Sequence, residues 1–318
     1  MSAPPRVSLS LLLRQDASTS EAVIAQLRGA ASFDALSTLE AALTAARDRE
    51  DDDKLQAGID LAVGKGVLPA GLVPAPYHAI SVEGKDTDAI TSEITAQLPA
   101  GKGSVIVLVG ASGTGKGTTV ARLAQQLPRA VTWSNGNVFR ALTLLAARWS
   151  AAQQDGGDGA PDLDPRALTP ENIASFMGML HFGPHGDGFD IRIDGLGVDA
   201  LVSDIANTTL KEPAVARNIP TVANVTQGEV VSFVAKATKM MGDAGMNVII
   251  EGREATVNHI PTPFRFELTL KDPATIGRRR AAQRVMAAAA KDFAGRADAT
   301  DDDIDAALRA HADAMAQR

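Results

Sequence analysis

One stretch near the middle of the chain constrains it most: Gly110-Ala-Ser-Gly-Thr-Gly-Lys-Gly-Thr-Thr119. Ahead of it runs Ser104-Val-Ile-Val-Leu-Val109, an apolar, β-branched run that predicts a fully buried strand. Behind it runs Val120-Ala-Arg-Leu-Ala-Gln-Gln-Leu127, with Val120, Leu123 and Leu127 on one helical face. Gly110, Gly113 and Gly115 let the backbone curl so that several N–H groups converge. A helix starting there adds the positive end of its dipole. Lys116 adds a mobile full charge. Strand, glycine turn, helix and the G-x-x-x-x-G-K spacing together predict a phosphate-binding loop of the Walker A type. Gly117 stands where that pattern has Ser or Thr, so the nearest hydroxyls are those of Thr118 and Thr119. The expected nucleotide contacts are Gly110, Ser112, Gly113, Thr114, Gly115, Lys116, Gly117, Thr118 and Thr119. The alternative is an ordinary βα turn that is rich in glycine.

The 318 residues suffice for one large or two modest domains. Aromatic residues make up only 4% of the chain, so the core must be built from Ala, Val, Leu and Ile. A net charge of -7 argues against a general nucleic-acid binder. With no cysteine there is no disulfide framework, no thiol catalysis and no cysteine zinc site. No apolar run approaches the roughly 20 residues of a membrane span. Residues 1–14 hold Leu11-Leu12-Leu13, two arginines and no acid, which faintly suggests an organelle transit peptide. A frayed terminus is the simpler reading. The expectation is a cytoplasmic protein, or an organellar one if residues 1–15 are a transit peptide. No membrane and no nucleic-acid partner is expected, and the protein is a monomer or an oligomer of open size.

Taken in order, Ser18-x-x-Glu21 predicts a capping box opening a short helix that Gly29 closes. A second helix carries Phe33, Leu36, Leu39 and Leu43. It runs into the charge cluster Arg47-Asp-Arg-Glu-Asp-Asp-Asp-Lys54, which taken alone reads as a solvated helix end. Residues 63–76, rich in Gly and Pro, predict a loop. His78–Val82 predicts a short strand and 88–98 a helix. Ala130–Trp133 predicts a second parallel strand, followed by a helix over 138–147. Residues 156–170 predict an acidic loop. Its Asp155, Asp158, Asp162 and Asp164 lack calcium-loop spacing and read as solvated. His181 and His185 flank Phe-Gly-Pro, which disfavours a helix and hence a zinc pair. Phe189–Ile193 alternates like an exposed strand, and a mostly helical stretch runs to Met241, interrupted near Pro213 and Pro220. Met246–Ile250 and Phe266–Leu270 predict strands. Asp272-Pro opens a helix with Arg278-Arg-Arg280 and Arg284, and 301–318 predicts an amphipathic helix. Strands and helices alternating around a phosphate loop predict a doubly wound parallel α/β sheet.

The motifs resemble those of the nucleoside-monophosphate kinases, the cytidylate kinases in particular, over residues 104 to about 284. Gly110–Thr118, including Gly117, looks like that family's phosphate loop. Ser134-Asn-Gly-Asn-Val-Phe-Arg-Ala141 looks like its Asp-Ser/Thr-Gly-Ala-x-Tyr-Arg segment. Glu251-Gly-Arg-Glu254 looks like its Asp-Gly-Arg-Asp. Phe266 to Arg280 looks like the strand and the start of its lid. Four motifs in the family's order carry the resemblance. The chain departs from the pattern at Asn135, Asn137, Phe139 and Glu254, and it lacks an arginine near Pro220-Thr-Val-Ala223. These departures leave the acceptor open.

The family continues past its lid helix with Arg-x-x-x-Asp-x-x-Arg, a last strand and a last helix. Here similar features precede the phosphate loop instead. Arg47, Asp51 and Lys54 have that spacing, and Val73–Gly84 followed by 88–98 looks like the last strand and helix. The resemblance therefore implies a circular permutation that requires His78–Val82 to pair with the sheet beside Val105–Val109. The alternative is an unrelated helical N-terminal domain. The implied divisions are a helical extension over 1–31 and the permuted lid helix, last strand and last helix over 32–103. A P-loop kinase core then covers 104–318, with an acceptor-binding insert at about 137–240 and a lid starting at about 272–318.

The resemblance implies transfer of the γ-phosphate of ATP, with Mg²⁺, to CMP or dCMP. Lys116, Arg140 and Arg253 are its implied catalytic residues. Asn135, Gly136, Arg140, Arg253, Glu254, Arg47, Asp51 and Lys54 would bind the acceptor. Arg278 and Arg280 belong to the lid, and Thr118 and Glu251 would hold the metal. The other readings are a small-molecule kinase on the same scaffold with a different acceptor, and a non-catalytic relative serving as a structural subunit.

Overall fold

The apolar run before the glycine loop forms β2 (Val105–Gly110), the central strand of the main sheet. Its side chains alternate between two layers. Val107 and Val109 enter one core and Ile106 and Leu108 another, all four buried. A strand covered on both faces needs no polar side, which is why its sequence is continuously apolar. The structure, a computed structural model, describes residues 6–153, 163–272, 274–296 and 298–317.

Helices α1 (Leu9–Arg14), α2 (Ala17–Gln26) and α3 (Ala31–Gly64) come first, then β1 (His78–Ser81) and α4 (Thr87–Thr95). Strand β2 leads into α5 (Lys116–Gln126), β3 (Ala130–Trp133) and α6 (Gly136–Ala152). Helix α7 (Pro170–Gly178) feeds a meander of β4 (Leu180–His185), β5 (Gly188–Gly195) and β6 (Val198–Leu201). Short α8 (Val202–Ile205) and α9 (Pro213–Ala216) precede the long α10 (Ile219–Asp243). Then follow β7 (Asn247–Glu251), α11 (Glu254–Val257), β8 (Phe264–Thr269), α12 (Ala274–Asp292) and α13 (Asp301–Ala316).

The protein is α/β. Five parallel strands in the order β1-β8-β2-β7-β3 form a sheet flanked by helices. Helices α4 and α5 cover one face through Ile90, Ile94, Val120 and Leu123. Helices α6 and α10 cover the other, with the antiparallel meander packed beside them. Phe182 of β4 lies edge-on to Trp133 and Phe233 and stacks on Phe189, which ties the meander to this layer. Strand β1 joins the sheet at its edge. It pairs with β8, so one strand separates it from β2.

A third core lies apart from the sheet. Leu12, Val23, Leu27, Phe33 and Leu36 pack against Val285, Met286, Ile304 and Leu308. Helices α1, α2, α12, α13 and the first turns of α3 thus form one bundle. An ion pair from Arg6 to Asp302 at 2.6 Å joins its two ends in sequence.

Several expectations are corrected. Asp16 rather than Ser18 caps α2, by accepting from the Thr19 amide. The Arg47–Lys54 cluster is not a helix end: α3 continues through it to Gly64, because no breaker interrupts the stretch. The expected interruption near Pro220 is present, since α9 ends at Ala216 and α10 starts at Ile219, but Pro220 itself lies just after the break. It sits in the first turn of α10, where its missing N–H leaves no intrahelical bond unmade. Phe189–Ile193 lies in the middle strand of the meander, with Ile191 and Ile193 buried rather than exposed. The stretch after it includes β6, not helix alone. Asp155, Asp158 and Asp162 lie outside the described residues. Asp164 is not simply solvated, since it caps a short 3₁₀ turn and pairs with Arg166 at 2.6 Å. His181 and His185 lie on β4, both exposed.

Candidate functional site

The glycine loop bends as its sequence requires. Gly110 has φ 143°, and a Cβ there would lie 2.6 Å from the Leu268 carbonyl oxygen. Gly113 and Gly115 have φ 88° and 90°, a region costly for side chains. Gly115 is the residue ahead of α5, and no side chain caps this helix. Its first amides therefore point at open space with the positive dipole end behind them. Lys116 is the first residue of α5, and its ammonium donates to the carbonyls of Gly110 at 2.6 Å and Ala111 at 3.1 Å. Thr114 and Thr119 are buried and donate to Ala111 and Gly115 carbonyls, so they brace the loop from within. Thr118 faces outward.

One side of the loop opens on a basic cavity of about 350 Å³. Lys116, Thr118 and Glu251 line it with Arg279, Arg280 and Gln283 of α12. The guanidinium of Arg279 also donates to the Gly113 carbonyl at 3.4 Å. Burial draws the Lys116 ammonium below its ordinary pKa, and Arg253 adds to this, while Glu251 and Asp48 oppose it. A glycine cradle with uncapped amides and three cations fits the phosphates of a nucleotide. Thr118 and Glu251 share this cavity, as a magnesium ion that keeps most of its waters would need. Among the described residues no group of three or more carboxylates or histidines is arranged to hold a metal alone.

The other side opens on a cavity of about 440 Å³ with the opposite character. Asp48, Asp52, Asp53, Glu254 and Glu267 line it against one guanidinium, that of Arg253. Asp48 projects from the middle of α3 and closes the rim between the two cavities. Its carboxylate accepts from the Ser112 amide at 2.9 Å, the Ser112 hydroxyl at 2.6 Å and Arg253 at 2.7 Å. Asp51 and Asp52 approach Arg253 at 3.5 and 3.6 Å. Burial alone would raise the Asp48 pKa, but the hydrogen bonds from Arg253 and Ser112 outweigh it and hold the group at about 2.

The expected residues divide. The loop, Glu251, Arg253, Glu254 and Arg280 meet around the two cavities. Asp51 reaches the site only through Arg253, and Arg47 lines a neighbouring groove with Arg280. Asn135, Gly136 and Arg140 sit together at the start of α6 and line neither cavity. There the Asn135 oxygen accepts from the Trp133 indole, and Arg140 donates to Asn137 at 3.2 Å. Lys54 points away and pairs with Glu50 at 2.6 Å. Arg278 turns back to Asp272 at 2.5 Å, leaving the loop to its neighbours Arg279 and Arg280.

Asp48, Asp52 and Asp53 belong to the site without having been singled out in the sequence, and of the arginines noted at 278–280 and 284 it is Arg279 and Arg280 that line the basic cavity. The signal for the three aspartates was the acidic run itself, in which Asp48 and Asp52 stand four apart and share a helix face. No protein-family model matches this chain, and no curated protein is significantly similar to it.

Proposed function

We propose that the protein is an ATP- and Mg²⁺-dependent phosphotransferase acting on a small acceptor. The observation that carries the reading is the uncapped glycine loop with Lys116, set between a basic and an acid-lined cavity. It lies at the C-terminal end of the central parallel strand, where α/β sheets bind ligands. The strand order, with β2 central and β1 at the edge beside β8, supports a permuted monophosphate-kinase core.

The chemistry asked of the protein is alignment and charge neutralisation. Lys116, Arg279, Arg280 and the loop amides hold the donor phosphates. Thr118 and Glu251 would hold the metal, which would supply charge neutralisation for the phosphates. The bond from the γ-phosphorus to the ADP oxygen breaks as a bond to an acceptor oxygen forms. The first acceptor is a nucleoside monophosphate such as CMP or dCMP, with Arg253 as its phosphate ligand.

A second acceptor reading is favoured by the five carboxylates of the larger cavity. They repel a phosphate dianion and suit a hydroxylated or cationic molecule. A cavity carboxylate would then take the hydroxyl proton. An ADP-release assay with Mg²⁺ across the nucleoside monophosphates and a panel of amino sugars and polyols separates the two. Release with CMP supports the first reading. Release only with hydroxyl acceptors supports the second. No release with any acceptor, together with no ATP binding, overturns both.

A further inference from the structure

We infer that Glu21 of α2 reads the nucleoside of the bound donor by accepting hydrogen bonds from its amino or hydroxyl edge. The inference rests on the loop binding a nucleoside triphosphate. A triphosphate over Lys116 must send its nucleoside into space continuous with the basic cavity. A cavity of about 380 Å³ shares Gly113, Gly115, Thr118, Arg279 and Gln283 with it. The groove beside Arg47 shares only Arg280 and Gln283 with the basic cavity, and the acid-lined cavity shares none of its lining.

The walls of the 380 Å³ cavity suit a nucleoside. Buried Val82 and Ile90 give it an apolar side, and the planar Arg279 guanidinium gives it a cationic one. Its size falls within the ~300–1,000 Å³ of small-molecule sites.

The remaining wall comes from α2, through Ser18, Ser20 and Glu21. Most polar groups around the cavity are already engaged. Ser18 donates to Asp16, Ser20 donates to the Asp16 carbonyl, Lys85 pairs with Glu93, and Asp86 caps α4. Glu21 is exposed and makes no hydrogen bond or ion pair among the described residues. A carboxylate accepts only, so its matching groups on a nucleoside are the base amino group and the ribose hydroxyls. Helix α2 is held firmly enough to read them. Val23 and Leu27 are buried in the helical bundle, and the Gln15 amide beside α2 donates to the Met286 carbonyl of α12 at 3.1 Å. A segment outside the sheet domain thus completes the donor site.

Calorimetric titration of the whole protein with Mg²⁺ and ATP, ITP, 2′-deoxy-ATP or inorganic tripolyphosphate tests this. ITP lacks the 6-amino group, and 2′-deoxy-ATP lacks a ribose hydroxyl. Glu21→Ala is expected to weaken ATP binding about tenfold, roughly one charge-assisted hydrogen bond. It should also abolish the wild-type preference for ATP over ITP if the base is read, or over 2′-deoxy-ATP if the ribose is read. Tripolyphosphate, having no nucleoside, should bind the variant within twofold of wild type. ATP affinity unchanged in Glu21→Ala, or weakening of tripolyphosphate equal to that of ATP, overturns the inference while leaving the phosphate site intact. Wild-type protein that binds neither ATP nor tripolyphosphate overturns the phosphate-loop reading itself. Unchanged circular dichroism of the variant checks that the fold is kept.

Discussion

The two cavities beside the glycine loop share a rim and differ in charge. On the α12 side, Lys116, Arg279 and Arg280 face one another around Glu251. On the α3 side, five carboxylates surround Arg253. Like charges gathered without counter-charges cost stability, so a cluster of cations that the protein leaves partly unpaired marks a place for an anion. Arg253 is different. Three aspartates approach it, and Asp48 ties both it and Ser112 of the loop to α3. The basic side is arranged to receive charge, whereas the acidic side has spent its one cation on holding the structure together.

The largest expected effect is on the basic side. Lys116→Ala should lower phosphotransfer by about 10²- to 10³-fold, as removing a positioned cation from a developing anion does. Its fold should be kept, because the ammonium donates only to two loop carbonyls. Next in size, Arg279→Ala and Arg280→Ala should each raise the KM for ATP roughly tenfold. Arg278→Ala should change it less than twofold, because that side chain is turned to Asp272. Equal effects of all three would erase the distinction the geometry makes.

On the acidic side the loss should appear in stability. Arg253→Met leaves Asp48 half-buried without its partner and should cost about 2–3 kcal/mol in denaturant unfolding. Asp48→Asn keeps hydrogen-bonding capacity toward Ser112 and should cost less. The double variant should lose less than the two single losses added, since both remove one contact. If Arg253→Met proved neutral in stability, Arg253 would not hold α3 against the loop and the comparison would fail.

Acid should act through the same clasp. The folded Asp48 pKa lies at about 2, below its ordinary 3.8. A depressed carboxyl stabilises the fold at pH above its unfolded value. That contribution, about 2 kcal/mol, is lost as pH falls from roughly 4 through 2. Acid unfolding of Asp48→Asn should lack this part of the slope. The smallest effect is expected at Lys54, whose exposed pair with Glu50 should be worth under about 0.5 kcal/mol.

The loop and the parallel strands were legible in the sequence because each has a strong local cause. Glycines at forced φ angles, a lysine at fixed spacing and apolar β-branched runs need no tertiary knowledge. The acidic side was not legible in that way. The run Arg47–Lys54 shows its charges but not which helix face meets the loop, and that depends on α3 continuing unbroken to Gly64. Arg278, Arg279 and Arg280 are sequence neighbours separated by about 100° each on a helix, so the rotation of α12 decides which reach the loop. Arg140 and Lys54 matched a spacing, but Asn137 and Glu50 hold them elsewhere. Arg265 gave no sign at all. It is fully buried in β8 and held by Tyr77, Asn258 and the carbonyls of Val257 and Ile260.

The central claim is that the loop binds donor phosphates for transfer to an acceptor in the adjoining cavity. Acceptor-dependent ADP release from Mg²⁺-ATP, measured side by side on the wild-type protein and Lys116→Ala, tests it most directly. The account predicts release that rises with acceptor in the wild type and falls by about 10²-fold or more in the variant. Equal rates in the two proteins, or no acceptor-dependent release alongside no ATP binding by the wild type, would contradict it.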